Sequence, residues 1–116
     1  MNFDAAIVAH TSWKNKLKYY FEHNDGSLDP DEIESDQKCT LGQWICSEDQ
    51  KWNSSASFAM LRTRHAEFHR AAANLLRKVD AGESVDEELC VGSRSEFSKC
   101  TADVVKALVQ MREEAK

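Results

Sequence analysis

The residues best suited to chemistry are two histidines, His65 and His69, which stand four apart in a segment with helical apolar spacing. Residues four apart project from one face of an α-helix, so both imidazoles can reach a single ion. The pair alone is a weak signal for a metal site, because two polar residues at the boundary of a helix bundle produce the same spacing.

Two further residues extend this candidate site. His10 falls within the apolar stripe of an earlier segment, where a buried imidazole needs a partner. Taken alone, it is more typical of a core histidine bonded to a carboxylate or a backbone carbonyl. Cys39 stands at the predicted start of a short helix, where the helix dipole favours a thiolate. Taken alone, it also fits a small buried apolar residue.

Together, His10, Cys39, His65 and His69 predict a tetrahedral zinc site. Imidazole and thiolate suit zinc, whereas calcium and magnesium prefer oxygen; affinity alone leaves iron and copper open. Four protein ligands leave no position for water or substrate, which argues against an enzyme. A zinc hydrolase would require that Cys39 not be a ligand. Carboxylates that hold the imidazoles from behind are expected as well, with Asp4 or Glu67 as candidates.

Helices must bring these residues together, and the apolar spacing and helix-start signals predict where they lie. The predicted helices are a first from about Phe3 to Glu22, a short one from Asp29 to about Gln37, another from about Cys39 to Asp49, a long one from Ser54 or Ser55 to Ala81, and a last one that opens at the capping box Ser84 to Glu87. Each long helix is apolar on one side. We therefore expect an all-α fold, a four-helix bundle with an additional short helix that carries Cys39.

Composition sets the broad class of protein. The chain has 116 residues, which is enough for one domain, and this domain is expected to span residues 1–116. The net charge of −5 without a basic patch argues against nucleic acid as a partner. Neither a membrane-spanning apolar run nor a secretory signal is present, so a cytoplasmic location is expected. The four cysteines sit in helical patterns, too far apart within a helix to bridge, and are expected to be free or metal-bound.

The ordered motifs resemble those of the chemoreceptor zinc-binding (CZB) domain family. They are His10-x-x-Trp13, then Cys39-Thr40-Leu41-Gly42-Gln43-Trp44, then His65-x-x-x-His69. The resemblance implies a small helical bundle in which His10, Cys39, His65 and His69 hold one zinc ion, with Trp13, Leu41, Gly42 and Trp44 as supporting packing residues.

The resemblance also implies a function. Family members lie in bacterial cytoplasm, commonly pair as homodimers, and are often attached to chemoreceptor signalling domains or diguanylate cyclases. They regulate chemotaxis or cyclic-di-GMP synthesis in response to zinc or to oxidants such as hypochlorous acid. This chain carries neither output region, so a separate signalling partner or a fused output domain is expected. Two alternatives stay open: a structural zinc-stabilised interaction module, and a hemerythrin-like metal- and oxygen-binding bundle.

Overall fold

The computed structural model describes residues 2–23, 28–35, 39–47, 52, 54–82, 92 and 95–114. Within these residues the regular structure is helical throughout. The helices are α1 Phe3–Thr11, α2 Trp13–His23, α3 Pro30–Glu34, α4 Thr40–Ser47, α5 Ala56–Asp80 and α6 Glu96–Glu114. The expected all-α bundle with a short helix beside Cys39 is confirmed. None of these helices combines the length and the apolar character that a membrane span requires.

The first predicted helix is divided into two at Ser12. Both Thr11 and Ser12 turn their hydroxyls back onto the helix, donating to the carbonyls of Val8 and Ala9. Such hydroxyl bonds compete with the regular ladder and bend a helix, so two adjacent hydroxyls account for the break. The apolar stripe continues through it, because Leu17 and Tyr20 in α2 are fully buried.

Polar side chains define the starts of α3 and α5. The carboxylate of Asp29 accepts from the backbone N–H of Asp31, with Pro30 at the first helical position. The hydroxyl of Ser55 accepts from the N–H of Phe58. These caps satisfy amide groups that no helical carbonyl can reach, so both starts agree with the sequence signals.

Two further helix boundaries are the end of α5 and the start of α6. The long helix α5 ends at Ala81-Gly82, where Gly82 adopts φ +79°, as the sequence predicts. The predicted capping box at Ser84, together with the other expected boundaries at Gln37 and Asp49, lies outside the described residues. The last helix, α6, begins at Glu96, and the hydroxyl of Ser95 just before it accepts from the N–H of Ser98. Because Gly92 and Ser95 lie outside any helix, the expectation that one helix continues from Ser84 into α6 is wrong.

The core forms where α5 packs along α6, with α1 against α6 and α3 against α5. Its fully enclosed members come from α2, α5 and α6 and are Leu17, Tyr20, Phe58, Leu61, Phe68, Leu76, Phe97, Val104, Leu108 and Met111. This burial confirms the apolar stripe predicted for α5. It also fixes the rotation of α5, so that His65 and His69 face inward with the apolar residues.

Candidate metal centre

Four potential ligands from three separate stretches converge on one side of α5. One donor atom from each of His10, Cys39, His65 and His69 lies within 4.8 Å of all the others. The three imidazoles are buried, and Cys39 is half-buried. The structure therefore brings together the four residues that the sequence singles out.

The spacing of the donor atoms agrees with a tetrahedral metal. The Sγ of Cys39 lies 3.2 Å from Nε2 of His65 and 3.5 Å from Nε2 of His69. The two Nε2 atoms are 3.0 Å apart. Around a tetrahedral zinc, standard bond lengths separate two nitrogens by about 3.3 Å and a sulfur from a nitrogen by about 3.6 Å. Small outward shifts of these side chains would thus admit the ion.

Backbone carbonyls orient two of the imidazoles. Nδ1 of His10 lies 2.9 Å from the carbonyl oxygen of Ala6, and Nδ1 of His69 lies 2.8 Å from that of Ile33. A carbonyl oxygen only accepts, so each Nδ1 carries the proton and donates it. The Nε2 lone pair of each ring is then available to a metal.

The carboxylates expected behind the imidazoles are engaged elsewhere. Asp4 pairs with Arg112 of α6, and Glu67 pairs with Arg64 one turn earlier in α5. The expectation that Asp4 or Glu67 holds a ligand histidine is therefore wrong for His10 and His69. Sequence reasoning missed the carbonyl of Ile33, because every residue carries a carbonyl and no residue type marks this one.

In His65 and His10, burial favours the neutral imidazole that a metal requires. It lowers the pKa of His65 from 6.5 to about 3, and repulsion from His69 and His10 adds to this effect. Burial also lowers the pKa of His10, against the opposing hydrogen bond to Ala6. Among the described residues, none forms a hydrogen bond with the buried Nδ1 of His65. Uncharged rings with free lone pairs are ready to act as ligands at neutral pH.

Cys39 occupies the cap position of α4. Its Sγ accepts from the backbone N–H of Gly42 at 3.3 Å, as an oxygen does at the starts of α3 and α5. On its other side, Cys39 lines a groove of about 580 Å³ together with His10, Trp13 and small residues of α1. Cys39 is thus the most exposed of the four candidate ligands, and His10 lines the same groove.

The supporting residues pack as the motif predicts. Leu41 and Gly42 are buried, and Trp13 and Trp44 pack against the core from partly exposed positions. Phe68, fully buried, forms edge contacts with the rings of His10 and His69 at 5.2 and 5.4 Å. Phe68 thus provides apolar surroundings for both imidazoles.

The other thiols lie apart from this cluster. Among the described residues, Cys39, Cys46 and Cys100 form no disulfide, and Cys90 lies outside the described residues. Cys46 is exposed on α4. Cys100 lies near Glu67 and Glu96, but burial, followed by the charge of Glu96, raises its thiol pKa to about 11. A thiol that stays protonated is a poor metal ligand and a poor nucleophile, so Cys100 is an apolar core residue.

Comparison with known proteins gives one match. The model of a protein family described as the chemoreceptor zinc-binding domain matches residues 10–76. This range covers more than half of the chain and contains all four members of the cluster. No curated protein and no solved structure matches the chain.

Proposed function

Because the chain belongs to the chemoreceptor zinc-binding domain family, we propose that it is a zinc-dependent sensory domain whose ion is held by His10, Cys39, His65 and His69. The observation that carries the proposal is the convergence of their four donor atoms within 4.8 Å. Three neutral imidazoles and one thiolate suit zinc, and the separations between donors approach those of a tetrahedral site.

The same ligand set supports regulation over catalysis. A catalytic zinc keeps one position for water or substrate, whereas four protein ligands fill the tetrahedron. The reactive group that remains is the thiolate of Cys39, a half-buried residue that lines the groove beside α1. Sensing through this sulfur is therefore the activity that the arrangement supports best.

The oxidant response would begin at that sulfur. The Cys39 thiolate attacks hypochlorous acid, giving up two electrons; an S–OH bond forms and chloride leaves. The neutral sulfenic acid is a much weaker ligand than the thiolate, so a bound zinc ion would then be held only by His10, His65 and His69. The start of α4 is then released, and the segment from Leu41 to Ile45 shifts. Loss of zinc at low supply has the same consequence.

The rival functions make different demands on the site. A hemerythrin-like di-iron centre needs more imidazoles and bridging carboxylates, yet His23, the fourth histidine, is exposed at the end of α2. Among the described residues, the cluster around His65 contains no carboxylate. A purely structural zinc site would unfold on chelation but show no graded response to oxidant.

Assembly and output form a separate part of the proposal, which rests on family membership. We propose that residues 1–116 act as one domain, pair as a homodimer in the cytoplasm, and act on a chemoreceptor or a diguanylate cyclase, either fused or separate. Light scattering of the purified chain tests the dimer. A mass of one chain at micromolar concentration, with and without zinc, would contradict it.

The test of the zinc site uses two cysteines of the same helical region. We compare Cys39→Ser with Cys46→Ser, because Cys46 is exposed and lies outside the cluster. We expect one zinc per chain in the wild type and in Cys46→Ser, and a loss of affinity of at least about tenfold in Cys39→Ser. Metal analysis after dialysis against a competing chelator measures this difference.

The same variants test the oxidant response. One equivalent of hypochlorous acid is expected to release zinc from the wild type and from Cys46→Ser, detected with a colorimetric zinc indicator. Equal zinc affinity of Cys39→Ser and the wild type would refute the ligand set. Retention of zinc after Cys39 has been oxidised, as shown by mass spectrometry, would refute the sensing step.

A further inference from the structure

The short helix α3 is attached to α5 at two points that lie two turns apart. At one, the Nδ1 of His69 donates to the carbonyl oxygen of Ile33 at 2.8 Å. At the other, the guanidinium of Arg77 bonds Asp31 at 2.9 Å and Glu34 at 2.8 Å. Between them, the side chain of Ile33 packs against the core. One face of α5 therefore carries both a candidate metal ligand and the ion pair that holds α3.

The carbonyl of Ile33 determines which nitrogen of His69 faces the other ligands. Since a carbonyl oxygen only accepts, it places the proton of the neutral His69 ring on Nδ1. The Nε2 atom, which lies beside Cys39 and His65, is then unprotonated. A histidine oriented in this way binds a metal more tightly than one free to rotate. The position of α3 thus bears on the zinc affinity.

We propose that docking of α3 onto α5 and occupancy of the zinc site are coupled through His69, and that Arg77 is a positioning residue for the metal. This inference rests on the proposed ligand set. Thermodynamic linkage makes this coupling reciprocal. If docking of α3 raises the zinc affinity by a given factor, bound zinc raises the equilibrium constant for docking of α3 by the same factor. Zinc loss would therefore loosen α3 as well as α4, which gives the sensor a second element that responds to the ion.

Arg64 provides a matched control for Arg77. Both residues lie on α5, both pair with two carboxylates, and their side chains are 42% and 39% exposed. Arg64, however, bonds Glu67 and Asp103 and so reaches α6, which carries none of the four ligands. Removing the positive charge of either arginine favours binding of a cation nearby without any specific contact. This general effect should be at least as large for Arg64, because Arg64 is closer than Arg77 to the candidate ligands in sequence. A loss of zinc affinity confined to the Arg77 variant would therefore report on α3.

The experiment measures zinc affinity by chelator competition for the wild type, Arg77→Met, Arg77→Lys and Arg64→Met. We expect Arg77→Met to bind zinc about two- to fivefold more weakly than Arg64→Met, as the loss of exposed ion pairs allows. Arg77→Lys keeps the positive charge but lacks the two-pronged guanidinium, so its zinc affinity is expected to lie between those of Arg77→Met and Arg64→Met. The difference should shrink at 1 M salt, where exposed charges are screened within about 3 Å.

A second measurement follows α3 directly. Zinc is expected to slow amide hydrogen exchange at residues 31–34 in the wild type and to slow it less in Arg77→Met. Either of two results would overturn the coupling: equal zinc affinities of Arg77→Met and Arg64→Met, or a rate of amide hydrogen exchange in α3 that is the same with and without zinc. If His69→Ala binds zinc as tightly as the wild type, the proposed ligand set itself fails, and the two failures are thus distinguished.

Discussion

Acid should destabilise the zinc-free protein through His65. Burial holds the pKa of this residue at about 3, against 6.5 for an unburied imidazole. Between these two values the unfolded chain binds a proton that the folded chain does not, so stability falls as the pH decreases. The contribution is fully present above pH 6.5 and is lost progressively toward pH 3.

The size of the effect follows from the two pKa values. Between pH 7.5 and pH 5, His65 alone should cost about 2 kcal/mol of unfolding free energy. Since burial also lowers the pKa of His10, that residue adds to the loss with the same sign. For a domain of this size, the melting temperature should fall by roughly 8 °C or more.

Thermal and urea unfolding of the chelator-treated protein between pH 7.5 and pH 5 measure this dependence. The variant His65→Asn cannot titrate and should show a shallower slope, whatever its absolute stability. His23→Asn provides a matched substitution of an exposed imidazole outside the buried cluster. Equal slopes for the wild type and His65→Asn would refute the assignment of the acid sensitivity to His65.

Three other changes have defined outcomes. Phe68→Ala empties a fully buried position beside two candidate ligands and should cost about 3–5 kcal/mol by urea unfolding, with weaker zinc binding. Tyr20→Phe removes the 2.6 Å bond from its hydroxyl to Asp80 and should cost about 1–3 kcal/mol, with zinc affinity unchanged. Zinc at about a thousand times its dissociation constant should stabilise the fold by about 4 kcal/mol, an increment that Cys39→Ser should lose in calorimetry.

The candidate site could be predicted from sequence because each ligand has a distinctive residue type in a distinctive place. His65 and His69 share a helix face by their spacing, and His10 interrupts an apolar stripe. Cys39 precedes a short amphipathic helix. These are local signals, whereas the ring contacts of His10 with His65 and Phe68, which join α1 to α5, depend on tertiary packing.

Other features have no such signal. The break at Ser12 depends on the hydroxyls of Thr11 and Ser12 donating to backbone carbonyls and not to solvent. Residue type alone does not determine which of these acceptors a hydroxyl takes. The orientation of His69 depends on the carbonyl of Ile33, 36 positions away in the chain, an atom that every residue possesses. The carboxylate of Glu67 pairs instead with Arg64, one turn earlier in α5.

The hydrogen bond from Gly42 to the Cys39 sulfur makes the reactive atom part of the first turn of α4. If Cys39 senses oxidant as proposed, a chemical change at its sulfur would act directly on the start of α4 through this one contact. Oxidation that releases zinc should then loosen the two short helices α3 and α4, while α5 and α6 keep their mutual packing. Reduction of the sulfur would let the original structure re-form without a full cycle of unfolding and refolding.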